Sequence, residues 1–262
     1  MKSLLVAVSF LTRIPVSVEA ATEREIGRSA LWFPIVGMLV GGILLGSYLV
    51  FHLIFPALVA KVLVLVVLIL ISGAFHLDGL ADTIDALYGG KDREDALRIM
   101  KDPHVGAMGV IAIVAVLLLK TAAAVSLSEP CFRGALLTMP IVAHGAMVAA
   151  LALPYARPSG LGKAFADHRS HWDIVLAALL TFGAAFALLK FSGVGALLIA
   201  LGAAGLLVSL AWRKVRGITG DVCGAVNEVA EAGFLLALTA LAPVSFTACE
   251  GILPEAFWRW HL

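Results

Sequence analysis

The placement of charged residues constrains this sequence more than any other feature. Asp, Glu, Lys and Arg make up 14% of the 262 residues, whereas 61% are hydrophobic. A helix that crosses a bilayer needs about 20 mainly apolar residues, and lipid offers no partner to the open edge of a sheet. The sequence therefore predicts an all-α, polytopic membrane helix bundle with about seven transmembrane helices. Its charge-free windows are residues 33–55, 62–77, 105–119, 134–153, 174–189, 191–211 and 232–249.

Several of these windows are shorter than a full crossing. Lys61, Lys120 and Lys190 at their edges can lengthen them, because a lysine stem is apolar and only its ammonium group must reach water. The apolar stretch 4–11 predicts a short helix at the membrane surface rather than a secretory signal, because Arg13 and Pro15 would interrupt the apolar core of such a signal. No repeat or flexible linker divides the chain, so we expect residues 1–262 to form one integral membrane domain.

Basic residues alternate between the two sides of the predicted membrane. Fourteen of the 19 lie in the N-terminal segment and in the loops after the second, fourth and sixth windows. Loops rich in Lys and Arg stay in the cytoplasm, which predicts a cytoplasmic N-terminus and places Trp258-Arg259-Trp260 outside. The net charge of +1 gives the chain no affinity for nucleic acid.

Small residues and cysteines predict packing rather than chemistry. Gly37 and Gly41, and then Gly42 and Gly46, recur at a spacing that lets helices approach closely. We expect this contact inside one bundle rather than between copies, which leaves a homo-oligomer open. Cys131, Cys223 and Cys249 have neither zinc nor disulfide spacing, and we expect them to fill space.

The first chemically informative stretch is HLDGLADTIDALYGG at 76–90, directly after the second window. A helix continuing from that window would place Asp78, Asp82 and Asp85 on one face. Such close carboxylates repel unless a cation neutralises them, and hard oxygen ligands select Mg²⁺, Mn²⁺ or Ca²⁺. The alternative is a solvated helix face with no ligand.

A basic helix is predicted next, over residues 91–101. Arg93, Arg98 and Lys101 beside an acidic metal face would supply a grip for phosphate oxygens. Each one taken alone is an ordinary signal for the cytoplasmic side.

A second polar stretch, TGDVCGAVNEVAE at 219–231, begins the seventh span on the same predicted side. Helix capping could explain Asp221, but it explains poorly Glu228 and Glu231, which run one to two turns further toward lipid. We expect both polar stretches to face one cavity. His144 is interpreted as a buried, hydrogen-bonded histidine, and Gly160-Leu161-Gly162 as a plain turn in a solvated loop.

Five motifs resemble the cobalamin synthase family over nearly the whole chain. The run HLDGLAD is highly specific for that family. The chain departs from the family at Ala86, where Gly is frequent, and at Val222-Cys223, where a polar-apolar pair is usual; neither position is a predicted ligand. The motifs are FLTRIP at 10–15, FPIVG at 33–37, HLDGLADT at 76–83, IMKDPHVG at 99–106 and TGD at 219–221.

The resemblance implies a phosphotransferase that joins adenosylcobinamide-GDP to α-ribazole, or to its 5′-phosphate, and releases GMP late in cobamide biosynthesis. It implies a multi-pass protein of the bacterial cytoplasmic (inner) membrane whose partners are these small molecules and the lipid bilayer. Under this hypothesis Mg²⁺ is held by Asp78, Asp82 and Asp221, and Asp85 or Glu228 removes the proton from the attacking hydroxyl. The predicted substrate-binding residues are Arg13, His76, Arg98, Lys101, Asp102, His104 and Asn227.

Two other functions fit the same composition. A CDP-alcohol-type phosphatidyltransferase also places aspartates on membrane helices, but its Asp-x-x-Asp-Gly-x-x-Ala-Arg order is missing. An ion-coupled transporter would use acids at the membrane boundary as coupling sites. No pair of Gly- or Pro-broken helices marks the inverted repeat that many transporters carry.

Overall fold

The computed structural model describes residues 2–18 and 20–241, apart from the side chain of Leu161. Cys249, the end of the last window and Trp258-Arg259-Trp260 lie outside these residues. Within them the chain is helical, with one isolated bridge between Tyr155 and Ile218. The helices are α1 (Lys2–Leu11), α2 (Glu23–Ser29), α3 (Phe33–Ile54), α4 (Ala57–Ser72), α5 (Phe75–Gly89), α6 (Arg93–Ile99), α7 (Ala107–Ser126), α8 (Glu129–Leu151), α9 (Leu161–His168), α10 (His171–Val215) and α11 (Gly220–Leu241).

The all-α membrane bundle is confirmed. In the described residues, five helical runs are long and apolar enough to cross a membrane, and α4 with α5 qualifies only as a bent pair. Helices α8 and α11 form the core, since more than three quarters of the most apolar stretch of each is buried. The short helices α1, α2 and α9 pack together at one end. We call that end, where α8 finishes and α11 begins, the site end.

The 45-residue α10 contains two of the predicted windows. Lys190 interrupts it with φ 51° and ψ −139°. A Cβ built on Gly193 would lie 2.3 Å from the carbonyl oxygen of Ala185, whereas eight residues of straight helix would separate these positions by about 12 Å. The chain therefore folds back at Lys190, and the arms 171–189 and 191–215 correspond to the windows 174–189 and 191–211.

Helices α4 and α5 meet at an angle of 84°. Gly73 and Ala74 both adopt left-handed backbone conformations, with φ 63° and 59°, which ends α4 and redirects the chain. The side chain of Arg13 packs over this bend, where even a Cβ on Gly73 would collide with it. The expectation that the acidic stretch continues the second window as one helix is therefore wrong, because the bend turns α5 across the bundle.

Gly37 and Gly41 bring α3 against α8, as predicted. A Cβ on either would lie within 2.7 Å of an α8 carbonyl oxygen, whereas Gly42 and Gly46 meet nothing within 4 Å. Cys223 is a free buried thiol. Cys131 is also buried, 1% exposed, near the start of α8.

Two lysines contradict the prediction that they reach water. Lys61 and Lys120 are only 6% and 3% exposed. Lys61 donates to the carbonyl oxygen of Leu127 at 2.7 Å and pairs with Glu129 at 3.5 Å. Buried acceptors thus hold these ammonium groups inside the bundle, whereas the sequence predicted that they reach water at the membrane surface.

Candidate active site

The acidic face of α5 lies against the first turn of α11. Two glycines allow this contact: a Cβ on Gly79 would lie 2.7 Å from the carbonyl oxygen of Asp221, and a Cβ on Gly224 would lie 3.2 Å from the carbonyl oxygen of His76. Asp78 is exposed and Asp82 is half-buried. The two polar stretches of the sequence therefore meet at the site end, as predicted.

The carboxylates of Asp78 and Asp82 make no hydrogen bond or ion pair with any residue in the described part of the chain. Asp78, Asp85 and Asp221 all lie close enough to Asp82 to interact with it electrostatically. Hard, unpaired oxygen donors suit a divalent cation. No three His, Cys, Asp or Glu side chains in residues 2–18 and 20–241 are already arranged as a ligand set, so the magnesium site stays a prediction.

Asp85 has a different environment from the other two acids of α5. Its carboxylate accepts hydrogen bonds from the backbone N–H of Gly106 at 2.7 Å and of Gly109 at 2.8 Å. These N–H groups begin α7 and have no partner within that helix, and a Cβ on either glycine would overlap the carboxylate. Asp85 thus caps α7 from a neighbouring helix. Its predicted role as a base stays a prediction, and the capping contacts account for it without one.

The basic residues in and just after α6 have different environments. Arg93, expected to grip phosphate, instead donates to the carbonyl oxygens of Val215 at 2.9 Å and Ala156 at 2.6 Å. Arg98 is exposed and pairs with Asp95. Lys101 is exposed and has no partner among the described residues.

Asp102 and His104 form a closed turn after α6. The backbone N–H of His104 donates to Asp102 at 3.0 Å, and its ring Nδ1 lies 2.7 Å from the same oxygen. These contacts, the backbone N–H first, hold the pKa of the Asp102 carboxyl below its ordinary value. Both side chains are exposed at the site end.

A cavity of about 930 Å³ opens at the site end, where Gly220 and Arg157, the neighbours of Asp221, line it. The acidic cluster is not among its described lining residues and lies behind this wall; it consists of Asp78, Asp82, Asp85 and Asp221. The cavity wall of aromatic rings includes Phe10, Phe33 and Phe165, which contact one another with centroids 5.0–6.0 Å apart. Arg98 in α6 and Lys101, two residues after the end of α6, line its rim. The volume lies at the upper end of the range for small-molecule sites.

The loop between α8 and α9 was expected to be solvated, but it lines this cavity through Arg157, Ser159 and Gly160. Ala156 N–H donates to the carbonyl oxygen of Ile218 at 2.8 Å, which fastens the loop beside the start of α11. Sequence reasoning missed Arg157, which donates to Asp221 at 2.8 Å. The only available signal was an Arg before a Pro/Gly-rich turn, which by itself indicates a surface loop.

Three predicted site residues lie deeper in the bundle. Glu228 is 5% exposed and lies 2.6 Å from Lys120. Asn227 donates to Glu231 at 3.1 Å, and His76 is buried with its ring 5.9 Å from that of His144. These side chains do not line the large cavity at the site end. Lys120 accounts for Glu228, whereas His76 Nε2 and Asn227 Oδ1 are buried without a hydrogen-bond partner among the described residues, so their predicted substrate contacts stay predictions.

The remaining two predictions concern His144 and Arg13. His144 is buried and contacts the carbonyl oxygen of Phe33 at 3.1 Å, which confirms the interpretation of a satisfied core histidine. Arg13 is exposed at the α4–α5 bend, where its backbone N–H donates to Ile71 at 2.7 Å. Its predicted contact with substrate stays a prediction.

Comparison with known proteins gives this arrangement its family. Residues 3–239 of the sequence match the model of a protein family described as "Cobalamin-5-phosphate synthase". The chain belongs to the cobalamin-5-phosphate synthase family. This member is 42% identical over 247 residues to the adenosylcobinamide-GDP ribazoletransferase of Pseudomonas paraeruginosa, covering 91% of this chain and 98% of that one.

More distant relatives carry the same name. The adenosylcobinamide-GDP ribazoletransferase of Clostridium novyi is 34% identical over 252 residues, covering 95% of this chain and 99% of the relative. That of Pseudomonas putida (strain GB-1) is 40% identical over 245 residues, covering 89% and 97%. No solved structure matches the chain significantly. The similarity to cobalamin-5-phosphate synthases therefore spans both the acidic cluster and the cavity.

Proposed function

We propose that this protein transfers adenosylcobinamide phosphate from adenosylcobinamide-GDP to α-ribazole, or to its 5′-phosphate, and releases GMP. One observation carries the proposal: unpaired carboxylates on α5 lie beside a large cavity with a cationic rim at one end of a membrane bundle. Relatives named for this reaction, similar over nearly the whole chain, support it.

The reaction forms a phosphodiester bond and breaks the phosphoanhydride bond of the GDP group. The 3′-hydroxyl oxygen of α-ribazole forms a bond to the cobinamide-side phosphorus, the bond from that phosphorus to the GMP oxygen breaks, and the hydroxyl proton is released. Such transfers need positioning and charge neutralisation more than covalent chemistry. The aromatic wall suits flat, apolar ring systems, and Arg98 and Lys101 suit phosphate oxygens.

Asp78, Asp82 and Asp221 would hold Mg²⁺, which when bound would neutralise phosphate charge. Asp78 and Asp82 are free for this purpose, whereas Asp221 would share its carboxylate with Arg157. Basic loops at the site end support its location on the cytoplasmic face of a bacterial inner membrane. The substrates would then enter from water while the apolar helices contact lipid.

The test supplies purified protein in detergent with Mg²⁺, adenosylcobinamide-GDP and α-ribazole. We expect stoichiometric release of GMP, and we expect Asp82→Asn to lower the rate at least about 100-fold, because it removes a metal-binding charge. Asp167→Asn, on an exposed acid paired with Lys163 at 2.7 Å, is the matched control and should keep the full rate.

Three outcomes would contradict the proposal. An Asp82→Asn variant that folds and releases GMP at the normal rate would remove the acidic cluster from the reaction. Release of CMP from a CDP-alcohol would favour a phosphatidyltransferase. Ion flux in proteoliposomes without any GMP release would favour a transporter.

A further inference from the structure

The backbone around Arg157 is fixed at the start of α11. Tyr155 and Ile218 form a parallel bridge, with Ala156 N–H donating to Ile218 at 2.8 Å and Ile218 N–H donating to Pro154 at 2.9 Å. A Cβ on Gly217 would lie 2.8 Å from the backbone of Ala156, so the two segments touch. Arg157 thus projects from an anchored strand-like segment rather than from a free loop.

The guanidinium group of Arg157 is only partly used by the protein. Its Nη2 donates to Asp221 at 2.8 Å, and its side chain is 17% exposed. Its Nε is buried and has no hydrogen-bond acceptor in the described part of the chain. An arginine carries five N–H donors in a fixed plane, and the protein supplies an acceptor only to Nη2 among the described residues.

Arg157 lines a cavity whose charged lining residues are mainly basic. Arg98, Lys101 and Arg157 all line it, and the acid among its described lining residues is Glu94. Asp221 lies behind the wall and is already neutralised by Arg157. The first residue of α11, Gly220, also lines the cavity, and the N-terminal end of a helix adds partial positive charge.

We propose that Arg157 binds phosphate oxygens of the nucleotide-bearing substrate, with Asp221 holding the guanidinium plane in position. Arginine binds phosphate through paired N–H donors, which lysine does not reproduce. The identity of the substrate rests on the proposed function. The anion site itself rests on the cavity, on the unpaired Nε and on the fixed loop.

The experiment measures binding of inorganic pyrophosphate by calorimetry to the full-length protein in detergent, with EDTA present so that no metal contributes. We expect Arg157→Gln to weaken binding at least about tenfold and Arg157→Lys to give an intermediate loss. Asp221→Asn removes the negative charge but keeps an amide oxygen that can accept from Arg157 Nη2 and so hold the guanidinium plane; it should bind as tightly as the unsubstituted chain or more tightly. Arg213→Gln, on an exposed arginine outside the cavity, should have no effect.

Equal losses in Arg157→Gln and Asp221→Asn would overturn the proposal, because the ion pair would then be merely structural. So would unchanged binding in Arg157→Gln, or no binding by the unsubstituted chain. If Asp221→Asn does not fold, Arg157→Lys decides the question, because it keeps the positive charge beside Asp221. Full affinity of this variant for pyrophosphate would show that the paired N–H donors of arginine are not needed. Pyrophosphate binding without GMP release would leave the anion site standing and reject the proposed reaction.

Discussion

The two ends of the polar stretch of α11 use their acids in opposite ways. Asp221 lies at the site end, 22% exposed, paired with an arginine that faces a cavity of about 930 Å³. Glu228 and Glu231 lie two to three turns deeper, at most 6% exposed, and both bind the ammonium of Lys120. Their cavity measures only about 140 Å³. One continuous sequence motif thus holds Asp221, beside an open cavity, and a closed set of acids, Glu228 and Glu231, which surround a buried lysine.

The difference shows what an acid inside a membrane protein is available for. The cost of removing Glu228, Glu231 and Lys120 from water is offset by their contacts with one another and by the hydrogen bond from Asn227 to Glu231, so the side chains are committed to the fold. Asp78 and Asp82 near Asp221 have no such commitment among the described residues. These two candidate metal ligands therefore differ from the structural acids because no protein group among the described residues binds their carboxylates.

The largest expected effect tests the closed set. Lys120→Met would leave two buried carboxylates without their counter-charge, which should lower the free energy of unfolding by about 3–5 kcal/mol. Chemical denaturation in detergent measures this loss. Lys163→Met, which breaks an exposed pair at 2.7 Å, should cost less than about 1 kcal/mol.

A triple variant provides the second control. Adding Glu228→Gln and Glu231→Gln to Lys120→Met removes the uncompensated charges and should recover part of the lost stability. Equal unfolding free energies for Lys120→Met and Lys163→Met would show that the buried cluster is no different from a surface pair.

An intermediate effect tests Asp85, which belongs to the open end by position but is committed by its contacts. Asp85→Asn keeps only one acceptor oxygen for two N–H groups, and we expect a loss of about 1–2 kcal/mol in the free energy of unfolding. Amide hydrogen exchange at Gly106 and Gly109 should accelerate. Asp78→Asn, which changes an acid without a protein partner, is the stability control, and an equal effect of the two would refute the cap.

The smallest effect concerns Asp102, an acid whose side chain is exposed. Because its contacts with His104 lower its pKa, the turn is held at pH values above the ordinary Asp pKa of about 3.9. It is released as pH falls through the lowered pKa. A carboxyl NMR titration should therefore give a midpoint below the ordinary value.

His104→Ala checks the cause of that shift. The backbone N–H, which contributes most, remains in this variant, so the midpoint should rise only part of the way toward the ordinary value. A midpoint at or above the ordinary Asp value in the unsubstituted chain would contradict the observed turn.

Sequence reasoning predicted the meeting of the two polar stretches because each follows an apolar window on the same predicted side. It missed Arg157 because the bridge between Tyr155 and Ile218 joins segments more than 60 residues apart. It misplaced Lys120 for a similar reason: a lysine at the edge of a window has the same pattern whether it reaches water or a buried carboxylate. Neither the pairing of Arg157 nor that of Lys120 produces a periodic pattern in the sequence.

The sequence by itself determined the membrane bundle, its helical windows and the two acidic stretches, because hydrocarbon excludes charges and unpaired backbone wherever they occur along the chain. Only the tertiary structure decided which acids are free. The 84° bend at Gly73 and Ala74 brings α5 across α11, and the burial of Lys120 engages Glu228 and Glu231. Pairing depends on the distance between side chains, which the order of residues does not fix.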